Sequence, residues 1–217
     1  FLAHRQPFDA GPFRVTPYLN DHSAFDAYSL LIEGGGKRLF YTGDIRGHGR
    51  KAGIFEELLR KPPSGVDVLL MEGIIIRPSA GLVAEPAQKT EADVEAACAA
   101  RFRDTKGMAL VLTSAQNIDR LVTLYRATLR ADRDFVMDLY GAGIARATGN
   151  PNIPQPGPDW PRVRVHVPHW QRVKVKEAGA FERVEQIKPS RIYEEALAAE
   201  PARWVATFSL SSARQFA

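Results

Sequence analysis

The second half of the chain carries the pattern that most constrains the fold. Thr90 and Asp93 form a start resembling a capping box, which predicts the beginning of a helix. The runs at 108–115 and 134–140 have the length and apolar content of buried strands, and Asn117 can cap a helix between them. Helix, strand, helix and strand in short succession predict a parallel α/β layer.

The last third continues this pattern after a break. Five prolines between 151 and 161 predict a long extended loop. A strictly alternating run at 162–168 follows, then a helical stretch near 192–199 and an apolar run at 203–210 that predicts a final strand.

The first third is rich in strand patterns instead. Two β-prone runs, 27–33 and 37–42, flank Gly34–Gly36, which predicts a hairpin. A helical pattern follows at 52–60. The nearly continuous apolar run at 66–73 predicts a buried strand.

Composition limits the classes of protein to consider. The chain has 217 residues, of which 45% are apolar and 25% charged, as in ordinary globular proteins with a real core. No apolar run is long enough to span a bilayer, and the first residues do not resemble a leader. Cys98 is the single cysteine, so we expect no disulfide within the chain and a reducing, cytoplasmic compartment.

Two polar positions near the first strands are candidates for chemistry. His22 stands in an Asp-His-Ser triplet before the run at 27–33, and Asp44 follows the run at 37–42. An antiparallel pair brings the start of one strand beside the end of the next, so the two side chains can converge on a metal. The alternative is that Asp21 and Ser23 are turn residues and that Asp44 is part of a common strand exit.

The stretch "TPYLNDHSAFDAYSLLIEGGGKRLFYTGDIRGHGRK", residues 16–51, resembles two motifs of the metallo-β-lactamase superfamily. The similarity is to the branch that contains ribonuclease J and the β-CASP nucleases. The resemblance implies that His22 is a metal ligand and that Asp44 bridges two zinc ions, for which manganese can substitute. "VLLMEG" resembles the next landmark of the branch and implies that Glu72 orients a catalytic histidine from further along the chain.

The resemblance also implies an architecture. Residues 1–88 would be part of the αββα-type metallo-β-lactamase core, and 89–217 an inserted β-CASP-like parallel α/β domain. Independently of the resemblance, residues 74–86 show no clear period, which predicts a loop. The main family motif, His-x-His-x-Asp-His, is absent from these residues. We therefore expect either part of a longer zinc enzyme or a degenerate site.

The function implied is hydrolysis of RNA phosphodiesters by a metal-activated water. RNA or single-stranded nucleic acid would be the partner, no membrane is expected, and a homodimer is compatible with the sequence. Two alternatives stay open: a non-catalytic family member that binds or scaffolds, and a metallo-hydrolase of the same fold that acts on a small molecule.

Basic residues supply candidate phosphate ligands in two places. Arg46, His48 and Arg50 follow Asp44, where cations can hold a phosphodiester or simply form a solvated loop.

The second place is the alternating run at 162–168 and the residues after it. Arg162, Arg164 and His166 share one face of the predicted strand, and Trp170 and Lys174 follow. These residues can track a phosphate backbone and stack a base. The alternative is an edge strand whose charges prevent edge-to-edge pairing.

Overall fold

The structure is a computed structural model that describes residues 2–72 and 89–208. The chain divides into two compact units, Phe1–Glu91 and Ala92–Ala217. The loop predicted at 74–86 lies outside the described residues. Within the described part of the chain, no helix is long and apolar enough to cross a membrane.

The first unit is built on a mixed five-stranded sheet with the strand order β1-β2-β3-β4-β5. Neighbouring strands are antiparallel except β4 and β5, which are parallel. The strands are β1 (Phe8–Ala10), β2 (Phe13–Leu19), β3 (Tyr28–Gly34), β4 (Lys37–Tyr41) and β5 (Val68–Leu70), with helix α1 (Ala52–Arg60) between β4 and β5.

The predicted hairpin is confirmed. β3 and β4 pair with Leu31 opposite Phe40. The two central turn residues, Gly35 and Gly36, have φ of 58° and 72°. Positive φ at both central positions gives the turn whose twist matches the strands, and glycine adopts it without strain.

The prediction of a buried strand at 66–73 is wrong as to burial. β5 forms there, but Val68, Leu69 and Leu70 are each about half exposed, at 47%, 54% and 48%. Within residues 2–72 and 89–208, β5 is the last strand of the sheet and pairs with β4 alone. An apolar run indicates that a strand favours burial. Whether the strand is in fact buried depends on which other segments pack on it, and the run itself does not show this.

The second unit confirms the predicted parallel α/β layer. Its five strands are all parallel and follow the order β6-β10-β7-β8-β9. They are β6 (Ala109–Leu112), β7 (Asp134–Asp138), β8 (Val163–His166), β9 (Arg191–Ile192) and β10 (Trp204–Phe208). The helices are α2 (Glu91–Asp104), α3 (Ile118–Arg130), α4 (Leu139–Ala147), α5 (His169–Glu177), α6 (Glu182–Glu185) and α7 (Glu194–Ala199), with 3-10 turns at Lys188–Ser190 and Pro201–Arg203.

Alternation along the strands sends apolar side chains to both faces of this sheet. Phe135 and Met137 of β7 belong to the larger core cluster, together with residues of α2, α3, α4 and α5. Val136, between them, belongs to a smaller cluster with Leu197 of α7 and Trp204 of β10. Helices therefore cover both faces, as a parallel sheet requires.

The alternating run at 162–168 forms an interior strand, so its interpretation as an edge strand is wrong. β8 pairs with β7 on one side and with β9 on the other. Val163 and Val165 are fully buried, whereas Arg164 and His166 are half-buried on the opposite face. Alternation fixes which face is apolar but carries no information about the strand's place in the sheet.

Candidate metal centre

The carboxyl ends of three strands lie at the same end of the first sheet. β2 and β4 both run antiparallel to β3, and β5 runs parallel to β4. The carboxyl ends of β2, β4 and β5 therefore point the same way. The residues that follow these ends include the predicted site residues His22, Asp44 and Glu72.

His22 and Asp44 are brought together. The distance from His22 Nε2 to Asp44 Oδ2 is 3.8 Å, and the two side chains are 29% and 64% exposed. His22 Nδ1 accepts a hydrogen bond from the backbone N–H of Ala24 at 3.3 Å. In a neutral imidazole this places the proton on Nε2, the atom that faces Asp44.

Glu72 lies against the backbone beside Asp44. Its Oε2 accepts a hydrogen bond from the backbone N–H of Ile45 at 3.1 Å. Its own backbone N–H donates to Thr42 Oγ1 at 3.4 Å. The carboxylate thus helps to fix the segment that carries Asp44.

A buried amide, which the sequence motifs did not indicate, joins the same strand ends. Asn20 is 1% exposed. Its Nδ2 donates to Ser29 Oγ at 3.3 Å and to the carbonyls of Thr42 and Asp44 at 3.1 and 3.3 Å. Ser29 Oγ donates to the same Thr42 carbonyl at 2.8 Å. Asn20 therefore holds the backbone of Asp44 against the end of β2.

Asp21 organises the loop after Asp44, so its interpretation as a turn residue is wrong. Its side chain is 0% exposed and lies 3.8 Å from Arg46 Nε. It accepts hydrogen bonds from the backbone N–H groups of Gly49 at 2.6 Å and Lys51 at 3.2 Å. A buried carboxylate is stable when several N–H donors surround it.

Gly49 is required by this close approach. A Cβ atom at position 49 would lie 2.2 Å from Asp21 Oδ1, so a side chain there displaces the carboxylate or the loop. Lys51 also binds the segment that carries His22, because its Nζ donates a hydrogen bond to the His22 carbonyl at 3.0 Å. No sequence motif indicated this arrangement, because the partners of Asp21 lie 28 and 30 residues along the chain.

The described residues fit a metal only in part. With metal–ligand distances of about 2.1 Å and a tetrahedral angle, two ligand atoms stand about 3.4 Å apart, close to the 3.8 Å between His22 and Asp44. Metal binding at Nε2 would move the remaining proton to Nδ1 and end the hydrogen bond with Ala24. Among the residues that the structure describes, no group of three His, Cys, Asp or Glu side chains could hold a metal ion.

The predicted phosphate ligands fall into both units. Arg46, His48 and Arg50 lie in the loop that Asp21 anchors, and all three are half-buried. The carbonyl of His48 accepts a hydrogen bond from the N–H of Glu91, the last residue of the first unit, at 3.2 Å. Hydrogen bonds therefore tie this loop to other segments of the first unit.

Arg164 and Lys174 lie in the second unit, on β8 and α5. Lys174 is exposed, and its Nζ is 5.0 Å from the centroid of the Trp170 ring. Arg164 is half-buried on the face of β8 that also carries His166.

Acidic residues from distant segments pair with the neighbours of Arg164. Arg162 donates to Asp134 at 2.7 Å and to Asp132 at 3.0 Å. Burial lowers the pKa of Arg162, but these two carboxylates outweigh it and hold the pKa above its ordinary value. His166 Nε2 lies 3.2 Å from Glu194 Oε1. The alternating strand therefore presents less uncompensated positive charge than its sequence suggests.

The comparisons with known proteins give the class of fold. No protein-family model matches the sequence, and no curated protein matches it either. The chain is similar in structure to a protein of unknown function from Enterococcus faecalis V583, with a TM-score of 0.67 at 17% sequence identity. The match covers 95% of this chain and 44% of that protein, so the chain spans less than half of its neighbour's length.

At this level of identity the similarity is one of fold. The chain is an α/β protein with a mixed five-stranded sheet and a parallel five-stranded sheet flanked by helices.

Proposed function

We propose that the chain is part of a metal-dependent hydrolase of the metallo-β-lactamase fold, in the ribonuclease J-like branch, that cleaves RNA. In this proposal the first unit is part of the metallo-β-lactamase core and the second is the β-CASP-like domain. The observation that supports it is the convergence of His22 and Asp44, 3.8 Å apart, at the ends of three strands whose directions agree.

His22 and Asp44 are the ligands that this chain would offer to a dinuclear zinc or manganese site. When bound, the metal would lower the pKa of a water molecule to near neutrality. Glu72 would orient a histidine from elsewhere in the protein, and its present hydrogen bond to Ile45 holds it next to Asp44. The remaining ligands would come from outside the described residues.

The chain's own contribution is to fix geometry. Asn20 holds the backbone of Asp44, and Asp21 holds the following loop. Arg46, His48 and Arg50 of that loop would neutralise the phosphate of the scissile bond. A loop fixed before substrate arrives stabilises a developing charge without having to reorganise.

One observation favours a second candidate, a non-catalytic protein of the same fold. The described residues contain no complete set of three metal ligands. Such a protein would keep the basic loop and bind RNA without cleaving it.

Cleavage of a labelled single-stranded RNA by the complete gene product, with Mn²⁺ or Zn²⁺ added, separates the two candidates. We expect cleavage by the wild type and its loss in His22→Ala and Asp44→Ala, because each removes a ligand. His169→Ala is the matched control, since His169 is an exposed residue of the second unit. Equal cleavage by wild type and His22→Ala contradicts the hydrolase; binding without cleavage supports the second candidate.

A further inference from the structure

Two adjoining cavities open at the carboxyl edge of the parallel sheet in the second unit. The first has a volume of about 300 Å³ and lies among the ends of β6, β7 and β10. The second, of about 460 Å³, lies between the start of α4 and helix α5. Asp138 and Tyr140 line both cavities, and we call the pair the carboxyl-edge groove.

The position of the groove is one where α/β proteins bind ligands. In open parallel sheets, ligands bind outside the carboxyl ends of the strands. The groove lies at this end of the sheet, among the carboxyl ends of β6, β7 and β10. The volumes are also in the range of small-molecule sites.

The larger cavity offers positive charge next to aromatic surface. Lys174 and Arg183 line it, and neither has an acidic partner within 4.0 Å among the described residues. Trp170 lies in the same cavity, and its Nε1 is buried without a hydrogen-bond partner in the part of the chain that the structure describes. Two cations without an ion-pair partner among the described residues, beside an indole ring, suit an anion that is attached to a flat ring.

The groove also contains a carboxylate, Asp138, which keeps its negative charge, so an anion would lie toward Lys174 and Arg183 and away from Asp138. Asp138 caps α4, with Oδ1 accepting from the N–H of Gly141 at 2.7 Å. Its Oδ2 accepts from Gln171 Nε2 at 2.8 Å. Both oxygens thus face protein donors.

The smaller cavity combines an apolar floor with polar edges. Leu121, Met137 and Phe208 supply apolar surface. Gln116 Nε2 donates to Tyr140 Oη at 3.3 Å, and Tyr140 is 45% exposed. An exposed ring beside amide and hydroxyl groups can stack a heterocycle and hydrogen-bond to its edge.

We propose that the carboxyl-edge groove binds one nucleotide unit of a single-stranded RNA, with the base on Tyr140 and the phosphate at Lys174 and Arg183. The inference deepens the proposed function and rests on it for the choice of RNA. It assigns Lys174 a place in a defined groove, whereas the basic stretch at 162–176 indicated only a charged surface.

Fluorescence anisotropy of a labelled oligoadenylate of about ten nucleotides, with the complete protein, tests the groove. We expect Lys174→Ala combined with Arg183→Ala to weaken binding about tenfold and to make the salt slope shallower by about 0.7 for each phosphate that is no longer neutralised. Lys176→Ala is the matched control: it removes an exposed charge from the same helix, outside the groove. Binding by the double variant equal to the control's overturns the proposal.

Tyr140→Ala tests the base-binding part of the groove. Loss of one stacked base should weaken binding about tenfold, and unchanged thermal unfolding by tryptophan fluorescence shows that the variant is folded. AMP should displace the oligomer at lower concentration than inorganic phosphate. Equal displacement by phosphate, or unchanged binding by Tyr140→Ala, overturns a nucleotide site.

The outcomes also separate this inference from the proposed hydrolase. His22→Ala should abolish cleavage and leave binding in the groove unchanged. Wild type that binds the oligomer through Lys174 and Arg183 without cleaving it supports the groove and contradicts the hydrolase. If the double variant Lys174→Ala and Arg183→Ala cleaves RNA with the wild-type KM, the groove proposal is contradicted and the proposed hydrolase is not.

Discussion

The two units have different kinds of interior. Among the described residues of the first unit, the buried apolar side chains are Val15, Pro17, Leu31 and Phe40, beside the buried polar residues Asn20, Asp21, Ser29, Thr42 and Glu91. The second unit has a continuous apolar cluster built on β7, β8 and β10. An apolar core responds mainly to lost volume, whereas a hydrogen-bonded network responds to the loss of a single donor or acceptor. A network fixes directions, and here it positions the backbone of Asp44 through Asn20.

The largest expected loss of stability comes from a substitution in the apolar interior of the second unit. Phe135 is fully buried in β7 and packs edge-on against Tyr125 with ring centroids 6.2 Å apart. Phe135→Ala should lower the free energy of unfolding by about 3–5 kcal/mol, because it removes a large side chain and leaves a cavity. Urea unfolding followed by tryptophan fluorescence measures it, since all three tryptophans lie in the second unit.

Phe181→Ala is the control for Phe135→Ala. Phe181 is 58% exposed, so its loss should change the unfolding free energy by less than about 0.5 kcal/mol. Equal effects of the two substitutions would contradict the assignment of the core.

The next largest loss of stability is expected from a substitution in the polar network of the first unit. Asp21→Asn keeps the shape of the side chain but turns an amide N–H group toward the N–H of Gly49 or Lys51. A buried polar group left without a partner costs about 1–3 kcal/mol, and the loss should be local to the loop. Hydrogen exchange of the Gly49 and Lys51 amides should accelerate.

Asp9→Asn is the control for Asp21→Asn, because Asp9 is exposed on β1. Unchanged protection of Gly49 and Lys51 in Asp21→Asn would show that the buried carboxylate does not hold the loop.

The contrast between the interiors also explains which parts of the molecule were predictable. Local signals succeeded where the cause is local: Gly35 and Gly36 turn the hairpin, and Asn117 caps α3 by accepting from the N–H of Arg120 at 2.8 Å. Pairing of β3 and β4 across this turn allows His22 and Asp44 to approach each other but does not by itself require it.

Predictions failed where the cause lies far along the chain. The charge of Arg162 is compensated by Asp134, 28 residues away, and β8 becomes interior because β9 pairs with it. Asp21 was interpreted as a turn residue because its partners, Gly49 and Lys51, are brought to it by folding. No property of the tripeptide around Asp21 indicates that it is buried.

A smaller effect concerns pH at the surface of the second unit. The backbone N–H of Glu194 itself, together with His166, lowers the pKa of the Glu194 carboxyl below its ordinary value, and Arg172 at 3.2 Å adds to this. The carboxylate therefore stabilises the fold above the unfolded pKa of about 4.5, and the stabilisation is lost as the pH falls through the lower folded value.

Glu194→Gln should cost about 0.5 kcal/mol at pH 7, as expected for a half-exposed pair. The difference from wild type in urea unfolding should shrink as the pH is lowered below 4.5. A difference that stays constant or grows toward acid pH would contradict the role of the carboxylate.

The smallest expected effect is on the exposed edge strand. Leu69→Ala should change the unfolding free energy within about 0.5 kcal/mol, because Leu69 is 54% exposed. The matched substitution Leu124→Ala, at a residue that is 1% exposed, should cost about 2–5 kcal/mol. A loss at Leu69 comparable with that at Leu124 would show that β5 is covered in solution.

Whether His22 and Asp44 hold a metal is tested most directly by isothermal titration of the complete, chelator-treated protein with Zn²⁺. We predict that wild type and His169→Ala bind alike, and that His22→Ala and Asp44→Ala each weaken binding by at least about tenfold, since even groups that only support a ligand contribute that much. Binding by His22→Ala and Asp44→Ala that equals wild-type binding would contradict the metal site.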